Sequence, residues 1–175
     1  MFRLFASLRN RLRRSGRGSL SVEFALLAAP FMVLLFGIIE SALMLFNAVI
    51  IEGAAQEAAR QVRTGVVQNS GDPETAFKTL LCDNLYGIVS CNSLTYLVET
   101  FPSFQASGLT SMFDANGNPI NPTYADTEPG DIVIVRVATT WAFMTPLIGY
   151  AYGTDSLKLI STVVFRNEPF DPPGG

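Results

Sequence analysis

Two carboxylates sit in or beside a run that is otherwise apolar. They are the side chains of this sequence best placed to do chemistry. Glu23 opens the run and Glu40 interrupts it; Phe24 to Ile39 carries no charge, and neither does Ser41 to Ile51. A carboxylate at the centre of a bilayer costs roughly 2.5–3.5 kcal/mol, less near the interface, so each of the two invites a functional reading. Around the first lies Gly18-Ser19-Leu20-Ser21-Val22-Glu23-Phe24. A cut after Gly18 would give Ser19 a positive amine one helical turn from Glu23. The two could then neutralise each other, within one subunit or between neighbours. The plain alternative is that Glu23 marks the membrane edge and favours a helix N-terminus. Glu40 also has two readings. It lies about 24 Å along a helix from Phe24, near the far interface, where it could simply reach the headgroups. Or it joins Asn47, on roughly the same face, and the small-xxx-small pair Gly37 and Ser41 in a helix–helix contact.

Other chemistry is scarce. The chain has no histidine, so Ser-His-Asp and Cys-His arrangements are excluded. Two cysteines, Cys82 and Cys91, cannot make a zinc site alone, and no phosphate loop is present. Outside the cytoplasm the pair reads as a disulfide, closing a loop short enough to contribute roughly 2.5–3 kcal/mol; a free buried pair would instead argue for a cytoplasmic body. Lys78 and Lys158 sit in no serine motif. Asp114-Ala-Asn-Gly-Asn118 hints at a calcium loop, but its glycine is misplaced and its twelfth position is Ala125, so it reads as a hairpin or loop tip. The expectation is a protein that is not an enzyme, with no cofactor, no metal and no small-molecule substrate.

The carboxylates are positioned by one long helix. Gly18 to Gly65 reads as a single element, with a segment at about residues 24–51 that is apolar enough to cross a bilayer, for which about 20 residues suffice. Six of the twelve basic residues precede Gly18, and no acid appears before Glu23; the remainder carries −9. Basic residues stay on the cytoplasmic side, which sends the acidic body across the membrane. A basic arm for nucleic acid is the weaker reading, because an apolar span follows it directly and the body is acidic. A cleaved secretory signal fits poorly: the apolar core is too long, and Gly53-Ala54-Ala55 lies inside the helix. Pro30, within the span, is expected to kink the helix mildly. Past Ile51 the helix turns to alanines with a Glu57–Arg60 pair, and Gly65 supplies a left-handed cap. The alanines let another surface approach closely.

Residues 66–175 read as a small α+β body. Asp72-Pro73-Glu74 starts a second helix, with Phe77, Leu80, Leu81 and Leu85 on one face. Leu94 to Phe101 alternates as a strand, with Leu94, Tyr96 and Val98 on one face. A turn-rich stretch runs from Pro102 to Gly130. Asp131 to Trp141 is a strand burying Val133, Val135, Val137, Thr139 and Trp141. Trp141 to Tyr152 is an apolar connection that caps the core or lies against a membrane or partner. Leu157 to Phe165 is the last strand of an antiparallel sheet of three or four.

The segment RSGRGSLSVEFALLAAPFMVLLFGIIESALMLFNAVIIEGAAQEAARQVRTG resembles the TadE-like family, the minor pseudopilins of the tight-adherence (Flp) type IV pilus system. The resemblance is carried by the glycine, four residues, Glu23 and Phe24 behind a basic leader, by the later Pro30 and Gly37-Ile-Ile-Glu40, and by Ala58-Ala-Arg60. It covers residues 14–65, and the ending from Leu157 to Pro169 is similar to the family's closing strand. The resemblance implies a pilin-like fold, the exposed half of the long helix packed on an antiparallel sheet. It implies residues 1–18 as a prepilin leader, cut between Gly18 and Ser19 by a prepilin peptidase, and Glu23 and Phe24 as recognition and assembly residues. It also implies an inner-membrane protein with a periplasmic body, whose partners are that peptidase, other pilins or pseudopilins and the assembly platform. The alternative is an unprocessed, signal-anchored single-pass protein whose periplasmic domain binds an envelope partner.

Overall fold

A computed structural model describes residues 16–101, 103 and 110–171, with side chains from Leu20 onward. Helix α1 (Gly16–Arg63) is followed by α2 (Pro73–Asp83), β1 (Leu94–Phe101), β2 (Thr123–Tyr124), β3 (Ile132–Ala142), α3 (Pro146–Tyr152) and β4 (Ser156–Arg166). The molecule is α+β, a long N-terminal apolar helix on a small four-stranded sheet, as expected of a pilin-like fold.

Helix α1 passes through Pro30 without a break. It ends where its sequence says it should: Arg60 and Arg63 lie in the last turn, and Gly65 takes φ +80°. The chain then seals that end. The amide of Glu168 donates to the Arg63 carbonyl at 2.9 Å, the Glu168 carboxylate pairs with Arg63 at 3.0 Å, and the Phe170 ring lies where a side chain on residue 65 would go. Asp72 caps α2 by accepting from the Thr75 amide at 3.2 Å, with Pro73 opening the helix.

The sheet order is β2-β1-β3-β4. The pairs β1–β3 and β3–β4 are antiparallel, whereas β2 runs parallel to β1. The sheet is therefore mixed, which corrects the antiparallel expectation. A parallel neighbour requires a long return connection, and the turn-rich stretch after β1 supplies one. It carries the chain back to the free edge of β1, where Thr123 and Tyr124 pair with Leu97 and Val98.

The core forms where α1 and α2 lie on one face of the sheet. From α1 it takes Ile51, Ala54, Ala55, Ala58, Ala59 and Val62; from α2 and the turn after it, Phe77, Leu81 and Leu85; from the sheet, Tyr96, Val98, Val133, Val135 and Val137. Phe77 sits edge-on to Tyr96 at 5.3 Å and tilted to Tyr124 at 5.6 Å. The expected inward faces of β1 and β3 are inward, but their other faces are buried as well. Leu97 and Ala138 pack under Met112, with Phe113 and Ile120 beside them. Beneath the same excursion, Arg136 pairs with Glu99 at 2.8 Å and donates to the Thr110 carbonyl. Cys82 and Cys91 form a disulfide that ties the end of α2 to the entry of β1, with Cα atoms 5.4 Å apart. The Asp114–Asn118 segment is the expected loop tip: Asp114 accepts from the amides of Asn116 and Asn118, and Gly117 takes φ +83°.

Candidate functional site

The site is the length of α1, read from its N-terminal end. Gly18 and Ser19 lie in its first turn; most of the expected leader, residues 1–15, lies outside the described residues. Glu23 is exposed, and Phe24 is 74% exposed beside it. From Leu20 to Ile39 nearly every large side chain faces outward. These residues cover about 30 Å of helix, the thickness of a bilayer's hydrocarbon core. Among the described residues this is the one helix long and apolar enough to cross a membrane.

The pattern runs on through Leu43, Leu45, Phe46 and Val49 but is broken at Glu40. It is 3% exposed, although the residues on either side of it are open. Its carboxylate accepts from the backbone amides of Met144 at 2.5 Å and Thr145 at 3.0 Å, both just ahead of α3. Two amides aimed at one carboxylate give charge-assisted hydrogen bonds, about twice as strong as neutral ones. One turn below, Ile148 lies so close to Gly37 that a Cβ there would meet its Cδ1 at 3.3 Å. The β3–β4 connection is thus a hook that grips α1 through Gly37 and Glu40. The gripped face continues upward through Met44 and Ala48, both half-buried, to the fully buried Ile51.

The neighbouring polar residues are satisfied within their own helix. Ser41 donates to the Gly37 carbonyl at 2.8 Å, and the Asn47 amide donates to the Leu43 carbonyl at 2.8 Å. Within the chain, Gly37 and Glu40 meet the hook. Sequence reasoning missed this because the partners of Glu40 lie more than a hundred residues downstream. The usable signal was a charge-free stretch between Arg136 and Asp155, rich in aromatic residues.

Above Ile51, α1 is a packing surface with a polar back. Arg60 binds Glu57 at 2.7 Å, and Gln61 donates to the same carboxylate at 2.9 Å. Hydrogen bonds from Arg60 and Gln61 hold the Glu57 carboxyl down at about 2. Beyond the helix, Gln68 donates to the Val62 carbonyl at 2.9 Å and to Thr127 at 2.5 Å, fixing the turn onto the loop before β3. Among the described residues no group of three or more histidine, cysteine or acidic side chains is placed to hold a metal ion.

The arrangement offers binding and anchoring: an apolar rod of membrane length, an acid near its N-terminal end, and a body clamped along its C-terminal half. No curated protein and no solved structure matches the chain. Residues 18–60 match the family model described as TadE-like protein, a match that opens on Gly18 and closes on Arg60. Over the helix that serves as both apolar rod and spine of the core, the chain is therefore similar to the TadE-like proteins, a family of pilus components and not of enzymes.

Proposed function

We propose that the chain is a minor pseudopilin or assembly component of a bacterial tight-adherence pilus, processed by a prepilin peptidase between Gly18 and Ser19. The observation that carries this reading is the family match beginning at Gly18, in the first turn of an apolar helix with a folded body at its far end. In this reading α1 crosses the inner membrane once. The basic head stays in the cytoplasm and the body, with its Cys82–Cys91 bridge, lies in the periplasm. The new amine of Ser19 pairs with Glu23 of the same or a neighbouring subunit, while Phe24 packs in the assembly. The partners are the peptidase, other pilins and the assembly platform.

Intact-mass measurement of the protein purified from membranes that contain an active prepilin peptidase tests the cut. Processed protein begins at Ser19. A mass that still includes Met1 to Gly18 overturns processing and leaves a plain signal-anchored protein. Glu23→Ala should impair incorporation into the pilus apparatus more than membrane insertion, compared by co-purification and by membrane fractionation. Equal loss of both removes the pairing role.

A further inference from the structure

The hook between β3 and β4 has an exposed side that the fold does not use. Met144, Leu147, Tyr150 and Tyr152 are 50–86% exposed, and no charged residue occurs between Arg136 and Asp155. Patches of this kind on a folded body mark a surface made for something apolar. Its position says what. The hook is fastened to α1 at Glu40 and reaches down to Gly37 through Ile148. Glu40 lies about 30 Å along the helix axis from Leu20, one hydrocarbon core away, and beyond it Leu43, Leu45, Phe46 and Val49 remain 41–65% exposed.

We propose that the hook lies in the outer headgroup layer of the membrane as a second lipid contact, and that Glu40 is the latch that holds it there. The proposal rests on the reading of α1 as a membrane span. Tyrosine suits this layer, with an apolar ring facing the acyl chains and a hydroxyl in the wet zone. The contact explains the burial of Glu40. A carboxylate at the hydrocarbon edge is shielded by a piece of its own body that is itself compatible with lipid, and its charge is met by two amides. It also sets the orientation of the body. The sheet is already packed along α1, so a second lipid contact fixes the tilt of helix and body together against the bilayer.

The test uses the full-length protein in phosphatidylethanolamine–phosphatidylglycerol vesicles carrying lipids spin-labelled near the headgroup or deep in the chain. Trp141, the only tryptophan, is first removed by Trp141→Phe, a mild change because its indole N–H is buried without a partner. Single reporters are then added as Tyr150→Trp, Met144→Trp, Phe36→Trp and Ile160→Trp. The expected result is a severalfold larger quenching slope from the shallow label than from the deep one at positions 150 and 144. Position 36, about 6 Å below Glu40 along the helix, should be quenched by both labels and position 160 by neither. If positions 150 and 144 behave like 160 while 36 is still quenched, the hook lies in water and the proposal falls, although the span stands. If position 36 is also silent, the span reading falls and takes the hook with it.

Discussion

The lower and upper halves of α1 share one backbone and opposite side-chain logic. Below Glu40 the large residues Leu26, Leu27, Phe31 and Phe36 are more than half exposed; above Val49 the buried stripe is mostly alanine, 0–2% exposed. Large apolar groups face outward where α1 has no partner within the chain. Small ones face inward where a sheet must come close. The upper half gains its burial from partners that fit, since an alanine has little surface of its own and its value lies in letting Val135 and Val137 approach. The apolar character of these two faces does not separate them, because the polar residues of the upper half lie on its back. Side-chain size and the presence of a partner do.

The sharpest probe of the upper half is its largest buried ring. Phe77→Ala should cost the body about 3–5 kcal/mol, read by denaturant titration of the detergent-solubilised chain. A cost below about 1 kcal/mol would mean that the core is not organised around the α2–sheet contact. Next comes Ala58→Leu, which forces three more carbons between α1 and the sheet; a loss of about 1–3 kcal/mol is expected by the same titration. The matching change below Glu40, Ala29→Leu, should shift the titration by less than about 0.5 kcal/mol. If the two substitutions cost the same, the contrast between the halves is gone.

Alkaline pH separates them in another way. Burial, with help from the Glu74 carboxylate, pushes the Tyr96 phenol up to about 12, and burial with Asp126 pushes Tyr124 up as well. An unfolded tyrosine ionises near pH 10. These neutral phenols therefore contribute stability that is intact below about pH 10 and is lost as the pH rises toward 12. The lower half has no tyrosine. Near-ultraviolet circular dichroism should report the body opening above pH 10 while far-ultraviolet helix signal from the span persists. The smallest effect expected is in Tyr96→Phe, which gives up the 3.1 Å bond to Glu74 and should soften that alkaline transition.

What the sequence made legible was local. Asp72-Pro73-Glu74 names a helix start because cap, proline and acid act within one turn. Gly65 names an end because its φ is open to few other residues. The alternation of β3 gave its inward face correctly. The burial of its other face was not legible, because Ala138 and Arg136 are covered by an excursion whose return to the sheet leaves only the two-residue strand Thr123–Tyr124 as a trace. Two residues have no period to read. The same limit hid the grip on Glu40. Its cost was plain from composition, but its remedy is two backbone amides far downstream, and an amide carries no signature in the side-chain code.

The body is fastened to the rod near both ends, by Glu40 to the hook and by Arg63 to Glu168, with β4 running between the two fastenings. From hook to clasp the strand spans about 36 Å and the helix beside it about 35 Å, so neither is left slack. Tension along the rod is then shared in shear across the whole seam instead of peeling it open from one end. Pulling single molecules along the helix axis rather than across it should reveal that load-sharing as the higher rupture force.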